Sequence, residues 1–319
     1  MAKTAYLTHP DCLLHRNPDP HPEHPDRLLA VASALRSGGL WDRLLHPEVP
    51  LATKEQLKRA HKADYVDLVE VAAPDSGFAN LSIDAGLCPH SWDAARRAAG
   101  AVVKAVDLLM FEEADNAFCA VRPPGHHAVT DLAMGFCIFN NVAVGAAHAL
   151  AEYGLERVAI VDFDVHHGNG TEAIFRRNPK VMLCSTFEHP FYPFSGSASA
   201  SLNMINVPLP AGTGSEQFRT AMEKNCLLWL DDFRPELMFV SAGFDAHAED
   251  PLANFELQDE DYVWVTHRLL ELAAKHARGR LVSVLEGGYN PEVLGRCAVG
   301  HVGALLDAES FPGTRVVYS

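Results

Sequence analysis

The segment RVAIVDFDVHHGNGT, residues 157–171, joins a continuous apolar run to a cluster of ionisable side chains. A run that is apolar at every position is typical of a strand buried on both faces of a parallel sheet. Asp162, Asp164 and His166 follow at intervals of two residues, so in an extended backbone their side chains point to the same side. The segment predicts a central parallel strand that delivers polar groups to its carboxyl end.

Further apolar runs alternate with helical patterns on both sides of this segment. The predicted strands span residues 116–121, 157–163, 181–187, 237–242 and 280–285. The predicted helices span residues 26–36, 91–110 with Ser91 as the N-cap, 140–153 beginning at Asn140 or Asn141, 215–230 and 259–276. This alternation indicates a mostly parallel central sheet of the α/β class, covered by helices on both faces. We expect a single domain over residues 1–319.

The composition narrows the class of protein. With 26 Lys and Arg against 41 Asp and Glu, the net charge is −15, which argues against nucleic-acid binding through phosphates. The charge suits a cationic substrate or partner, or solubility alone. Seven cysteines without a CxxC pattern indicate neither a disulfide framework nor a structural zinc cluster. No signal-like core or membrane-length apolar run is present in the sequence, so we expect a reduced, cytoplasmic protein without a membrane partner.

Four of the predicted strands are each followed by polar or ionisable side chains. In chain order these are His126 with His127, the group at 162–171, Asp245, and Tyr289. Ligands of open α/β sheets bind outside the carboxyl ends of the strands. One such end is compatible with chance, whereas four that converge predict a single site.

The spacing of the acidic residues suits a metal ion. Asp164 and His166 can reach one cation, and Asp245 can supply a third ligand from another strand. Oxygen and nitrogen ligands together suit zinc, and three protein ligands leave a fourth position for water or substrate. The alternative is that Asp162 and Asp164 form helix caps or buried ion pairs.

The histidine pair and the tyrosine supply groups that zinc-dependent hydrolysis needs. His126 and His127 follow a stiff Pro-Pro-Gly turn at 123–125. One group must take a proton from water and one must give a proton to the leaving amine. Neighbouring histidines can do this if their partners separate their pKa values. Tyr289 follows two glycines, and its hydroxyl can donate to a developing oxyanion.

Together these strings resemble the histone deacetylase family, in particular class II-like deacetylases and their bacterial relatives. The matching strings are HPEHPDRL (21–28), RPPGHHA (122–128), GFCIFNN (135–141), DFDVHHGNGT (162–171), SAGFDAH (241–247) and EGGYN (286–290). The resemblance implies the arginase–deacetylase fold and a zinc-dependent amidohydrolase that removes acyl groups from lysine side chains.

The resemblance also implies a role for each site residue. The zinc ligands would be Asp164, His166 and Asp245. The catalytic residues would be His126, His127 and Tyr289, with Asp162 and Asn169 holding the rings of His126 and His127. The substrate-binding residues would be Gly135, Phe136, Tyr192, Leu252, His21 and Pro22, with Arg27 near an acetate exit.

At two positions this chain differs from other members of the family that it resembles. Asn169 stands where class I members have Asp, and class II members share the Asn. A neutral partner stabilises an imidazolium less than a carboxylate does, so we expect His127 to be the general base and acid and His126 the electrostatic support. Tyr192 stands where the wall of the acyl-lysine tunnel is usually Phe. Asp84 is a candidate for the rim aspartate that grips a peptide backbone in some members.

The family also carries structural potassium ions, and the resemblance implies two sites here. The first would use Asp162, Asp164, His166, Ser185 and Thr186, largely through main-chain oxygens. The second would use Phe175, Asn178 and Val181.

Three other functions compete with an acyl-lysine deacylase. The same site can serve an acetylpolyamine or other small-amide amidohydrolase. An arginase-like manganese ureohydrolase needs further bridging carboxylates, and residues 244–247 supply only Asp245. A non-catalytic module that binds acetyl-lysine conflicts with the intact set of ligand and catalytic residue types.

Overall fold

A parallel sheet forms the centre of the computed structural model, which describes residues 2–197 and 201–308. Within these residues the sheet has seven strands in the order β1-β4-β9-β8-β5-β6-β7. The strands are β1 (Thr4–Leu7), β4 (Asn116–Cys119), β5 (Val158–Asp162), β6 (Val181–Glu188), β7 (Met204–Leu209), β8 (Leu237–Ala242) and β9 (Leu281–Leu285). Every neighbouring pair is parallel. A separate antiparallel ribbon pairs β2 (Ala79–Asn80) with β3 (Gly86–Leu87).

Helices cover both faces of this sheet. The longer helices are α2 (Asp26–Ser37), α4 (Ala63–Ala72), α5 (Ser91–Met110), α6 (Asn141–Tyr153), α10 (Asp259–His276) and α11 (Pro291–Asp307). The shorter ones are α1 (Asp11–Leu14), α3 (Lys54–Leu57), α7 (Asn169–Phe175), α8 (Ser215–Ala221) and α9 (Leu228–Phe233). α5 packs on α6 across one face, whereas α11 packs between α2 and α10 on the other. The predicted α/β architecture is confirmed.

The predicted elements are present, with differences at their ends and edges. The five predicted strands are found within two residues of their expected bounds. β1 and β7 were not predicted, because polar Thr4 and Thr8 leave only a short apolar run in β1 and Pro208 interrupts the apolar pattern of β7. Both lie at the edges of the sheet.

The predicted N-caps of two helices and the predicted bounds of a third can be compared with the structure. Asn140 caps α6 by accepting a hydrogen bond from the backbone N–H of Ala143 at 2.9 Å, as predicted. Ser91 does not cap α5, whose N-cap is His90. The Ser91 hydroxyl instead accepts from the backbone N–H of Cys88 at 2.7 Å, so the preceding turn uses it. The helix predicted at 215–230 is interrupted by a π-helical segment at Met222–Leu227 and runs on to Phe233.

The strand order explains how the site is assembled. β4, β9, β8 and β5 are consecutive neighbours, so the loops that follow them meet at one edge. These are the loops that carry the histidine pair, Tyr289, Asp245 and the 162–171 group. In the described part of the chain, no helix combines the length and the apolar character needed to cross a membrane.

A buried ion network ties the N-terminal segment to this edge. Glu23 accepts hydrogen bonds from Arg122 and lies 3.4 Å from Arg27, and all three side chains are fully buried. Arg27 donates to the main-chain oxygens of Glu286 and Gly288. Burial alone would raise the pKa of Glu23, but the charge and hydrogen bonds of Arg122 outweigh burial and lower it to about 2. The network therefore fixes the loop after β9 beneath the site.

Glu23→Ala is expected to destabilise the fold by about 3–5 kcal/mol, because two buried guanidinium groups lose their counter-charge. The pKa of Glu23 is about 2 in the fold against an ordinary 4.5, so the carboxylate's contribution is complete above pH 4.5 and is lost as the pH falls through 2. Urea unfolding of the wild type and the variant at pH 7 and pH 3 measures both effects. Asp67→Ala, which removes an exposed partner of Lys54, is the control and should change little. Equal losses in the two variants would contradict the assignment.

Candidate active site

Asp164, His166 and Asp245 form a buried cluster whose ligand atoms all lie within 4.8 Å of one another. His166 Nδ1 lies 2.9 Å from Asp164 Oδ1 and 3.2 Å from Asp245 Oδ2. The carboxylates are fully buried, and none of the described residues donates a hydrogen bond to Asp245 Oδ2. Buried carboxylates need a counter-charge, and one imidazole nitrogen with two carboxylates is a donor set that zinc uses. The cluster fits a divalent metal ion.

The local backbone holds these carboxylates in place. Asp164 Oδ1 accepts from the backbone N–H of His166 at 2.9 Å, and Asp164 Oδ2 accepts from that of Gly287 at 2.8 Å. Asp245 Oδ1 accepts from the backbone N–H of Val165 at 3.0 Å. A Cβ at Gly287 would lie 1.9 Å from Asp245 Oδ2, so the loop after β9 needs glycine to approach this closely.

The cluster favours a cation at its centre. Burial by itself would lower the pKa of His166, but its hydrogen bond to Asp164 and the negative charges of Asp164 and Asp245 raise it to about 10. Burial would likewise raise the pKa of Asp164, yet the neighbouring imidazoles hold it below its usual range. The two carboxylates thus act together on whatever positive charge lies between them.

The two adjacent histidines have different partners. His126 Nδ1 lies 3.0 Å from Asp162 Oδ2, and His127 Nδ1 lies 2.7 Å from Asn169 Oδ1. The two rings are buried with centroids 4.0 Å apart. Burial opposes the imidazolium in both, but Asp164 and Asp162 raise the pKa of His126 well above its usual value. The pKa of His127 is held well below it by burial and by the charges of His126 and His166. The structure therefore brings both predicted partners into contact.

Tyr289 and Leu252 are held by one carboxylate that the sequence did not single out. Asp250 Oδ2 accepts from the backbone N–H of Tyr289 at 2.6 Å, and Asp250 Oδ1 accepts from that of Leu252 at 3.0 Å. The Arg27 guanidinium lies 5.0 Å from the centroid of the Tyr289 ring. Burial and the nearby Asp245 raise the pKa of Asp250 to about 7. In the sequence, Asp250 belongs to a short acidic run before Pro251, and this pattern does not indicate that its carboxylate holds Tyr289 and Leu252.

The predicted tunnel residues surround the approach to the histidines. His21 contacts Phe136 with ring centroids 4.6 Å apart, and Pro22 follows His21. The Tyr192 ring stands at 90° to that of His127, with centroids 5.2 Å apart. Gly135 has a positive φ of 54°, and a Cβ there would lie 2.2 Å from the His127 ring. Gly135 can therefore approach the ring only as glycine.

Asp84 joins the two walls of this approach. Its carboxylate accepts from the Tyr192 hydroxyl at 2.6 Å, and its main-chain oxygen accepts from the backbone N–H of Phe136 at 3.1 Å. Ser82 donates to the other carboxylate oxygen at 3.1 Å. The Tyr192 hydroxyl thus has a specific partner, and Asp84 connects the segments of Tyr192 and Phe136.

Glu286 is a buried residue of the site that sequence reasoning missed. Its carboxylate accepts from the backbone N–H groups of Gly125 at 2.7 Å and His126 at 3.1 Å, and from the Ser241 hydroxyl at 3.2 Å. Burial raises the pKa of Glu286 to about 7. It connects the ends of β4, β8 and β9 and so supports the backbone of the histidine pair. The EGGYN string contains it, but only the tertiary contacts reveal its partners.

Contacts link several of the residues predicted to bind potassium. Asp162 pairs with Ser185 across β5 and β6, and among the described residues the buried hydroxyl of Thr186, which follows Ser185, has no hydrogen-bond partner. The main-chain oxygens of Phe175, Asn178 and Val181 all accept hydrogen bonds from the side-chain amide of Asn203.

Comparison with known proteins places this architecture in a class. The histone deacetylase domain family matches residues 21–305. A histone deacetylase-like amidohydrolase of Pseudomonas aeruginosa is 39% identical over 297 residues, covering 91% of this chain and 78% of that protein. A probable deacetylase of Archaeoglobus fulgidus is 34% identical over 297 residues, covering 91% of this chain and 82% of that protein. The crystal structure of the HDA15 HD domain matches with a TM-score of 0.89 and 34% identity, covering 96% of this chain and 90% of that one.

These likenesses define a class of hydrolases, the deacetylases and related amidohydrolases, built on the arginase–deacetylase fold. The chain belongs to the histone deacetylase family. The predicted family and fold are confirmed.

Asp245→Ala is expected to abolish stoichiometric metal binding, because two remaining protein ligands hold a zinc ion poorly. Elemental analysis of the purified variant after dialysis against zinc measures the effect. Asp84→Ala, which removes a carboxylate outside the cluster, should retain the metal content of the wild type. One tightly bound zinc per chain in the Asp245 variant would refute the assignment.

Proposed function

We propose that this protein is a zinc-dependent deacylase that hydrolyses the amide of N6-acyl-lysine side chains. The observation that carries the proposal is the buried Asp164–His166–Asp245 cluster beside two histidines whose pKa values are shifted in opposite directions. Membership of a deacetylase family supports the same chemistry.

The metal ligands would be Asp164, His166 and Asp245. A zinc ion held by them, one per chain, would supply Lewis-acid activation of water and of the amide carbonyl.

His127 handles the proton in this proposal. Asn169 Oδ1 accepts the Nδ1–H of His127, so Nε2 of the neutral ring is left as a base. The low pKa of His127 keeps the ring neutral near pH 7, ready to take a proton from the attacking water and pass it to the leaving amine. His126, charged beside Asp162, supports the negative charge that develops on the substrate.

The remaining residues orient the amide. The Tyr289 hydroxyl would donate to the carbonyl oxygen as negative charge develops there. The Gly135 carbonyl would accept the amide N–H. Phe136 and Tyr192 would contact the lysine methylenes and exclude water, with His21, Pro22 and Leu252 at the rim.

A structural potassium ion in the first group would complete the support of the metal ligands. Its ligands would be Asp162, Asp164, His166, Ser185 and Thr186, and the Thr186 hydroxyl, which is buried without a hydrogen-bond partner among the described residues, supports this assignment. We place the protein in the cytoplasm, acting on acylated peptides or small acylated amines.

An acetylpolyamine is the alternative substrate, favoured by the net charge of −15. A site for a second ammonium needs an available carboxylate at the mouth, however. The oxygens of Asp84 already accept hydrogen bonds from Tyr192 and Ser82, and Leu252 offers an apolar side chain. Long-range attraction is screened within about 10 Å in ordinary buffer, so the residue in contact with the substrate should dominate.

His127→Ala is expected to reduce kcat by about 10²–10⁴, the usual contribution of a general base, and His126→Ala by less. Steady-state kinetics on zinc-loaded variants of matched metal content test the order. His267→Ala removes an exposed histidine of α10 and should leave kcat unchanged. A larger loss in the His126 variant would reverse the roles of the two histidines.

The substrate class is tested by comparing kcat/KM for an acetyl-lysine peptide and N8-acetylspermidine, with and without a chelator. We expect turnover of the peptide that is lost with the chelator and restored by zinc. The peptide should be preferred by at least about tenfold, roughly 1.4 kcal/mol. Leu252→Glu should shift the preference toward the polyamine, and Leu252→Gln, its uncharged counterpart, should not. If the wild type prefers the polyamine, the argument from the apolar Leu252 at the mouth of the site is wrong.

A further inference from the structure

Three main-chain carbonyl groups converge on the side-chain amide of Asn203. The Asn203 Nδ2 donates to the oxygens of Phe175 at 3.1 Å, Asn178 at 3.0 Å and Val181 at 3.0 Å. Phe175 ends α7, Val181 begins β6, and Asn178 lies in the turn between them. Asn203 immediately precedes β7, which pairs with β6. One side chain therefore closes the α7–β6 turn against the edge strand.

The partners of the amide decide its orientation. Main-chain carbonyls only accept hydrogen bonds, so the NH₂ group and not the oxygen of Asn203 must face them. On the opposite side, the Ser201 hydroxyl donates to Asn203 Oδ1 at 2.6 Å. Turning the amide over would place its oxygen 3.0–3.1 Å from three other oxygens, which is repulsive.

The same three residues are those that the family resemblance assigns to a second potassium ion. A cation coordinated by all three carbonyls would have to occupy the position of the Asn203 nitrogen, because both need the same short distance to each oxygen. The residues present do not fit a potassium ion and the Asn203 amide together. We propose that in this chain the Asn203 side chain replaces the second potassium ion, so that the α7–β6 turn is held by a built-in neutral donor.

The other hydrogen bonds that these carbonyls accept support this replacement. The carbonyl of Phe175 also accepts from the backbone N–H of Asn178 at 2.8 Å, and that of Asn178 from the backbone N–H of Val181 at 3.1 Å. Each carbonyl has two lone pairs, so these two oxygens are fully used once the amide is in place. The two protons of the Asn203 amide are donated to three carbonyl oxygens, so one proton is shared between two of these oxygens. The turn therefore needs no ion to satisfy its polar groups.

The replacement has a thermodynamic consequence. A bound ion stabilises a fold to an extent that depends on its concentration. A covalently attached amide is present at every salt concentration, so this part of the fold should not respond to potassium. Removing the amide would expose the three carbonyls to solvent and create the ion site that the side chain fills.

Thallium(I), which substitutes for potassium and scatters anomalously, distinguishes the two arrangements. In crystals grown with thallium acetate, the wild type should show no anomalous peak among the carbonyls of Phe175, Asn178 and Val181, and Asn203→Ala should show one. Ser201→Ala contacts only the far side of the amide and should behave as the wild type does.

Thermal unfolding at constant ionic strength gives a second readout that is independent of activity. Asn203→Ala should lose several degrees in Tm relative to the wild type in lithium chloride and recover most of the loss in potassium chloride. Any effect of potassium at the first predicted potassium site is the same in all variants, so it cancels when their Tm values are compared. Asn203→Ser, which is smaller and polar, serves if the alanine variant does not fold.

Two results would overturn the proposal. One is a thallium peak at the three carbonyls of the wild type, with the Asn203 side chain turned away. The other is a potassium-dependent gain in Tm that is equal in the wild type and the Asn203 variants.

Discussion

Two buried carboxylates, Asp164 and Asp245, face a single imidazole, and the arrangement of the site follows from their charge. Their oxygens lie within 4.8 Å of the His166 ring nitrogen and are buried, so positive charge among them stabilises the site. The backbone N–H groups of Val165 and Gly287 and the ring of His126 are all turned toward these carboxylates. The loop after β9 contains glycine because nothing larger fits beside the carboxylates.

The same charge separates the two histidines. Asp164 and Asp162 raise the pKa of His126 well above its usual value, whereas burial and the charges of His126 and His166 lower the pKa of His127. The amide of Asn169 neither adds nor removes charge, so it leaves this difference intact. Two identical side chains at consecutive positions therefore acquire different acid–base properties from their partners alone.

The sequence carried enough information for the class of fold and for the grouping of Asp164, His166 and Asp245, because buried strands and the residues at their carboxyl ends can be recognised from the pattern. Continuous apolar runs specify buried strands, and the spacing of Asp164 and His166 specifies a shared direction. Asp250 and Glu286 could not be predicted in the same way. Each acts through backbone N–H groups from distant loops, and a carboxylate in a loop looks the same in sequence whether it faces solvent or another loop.

Two oxygen-rich clusters, one at the ends of β5 and β8 and one at the α7–β6 turn, illustrate how charge determines whether a cation or a side chain can occupy such a site. At the ends of β5 and β8 the oxygens belong to buried carboxylates, whose negative charge a cation can balance and a neutral donor cannot. At the α7–β6 turn the oxygens are neutral carbonyls, which two amide protons can satisfy without adding charge. A metal site of the first kind cannot be replaced by a single side chain without removing a carboxylate as well. A site of the second kind can be replaced by one asparagine, which is why family resemblance predicts charged ligand sets more securely than carbonyl cages.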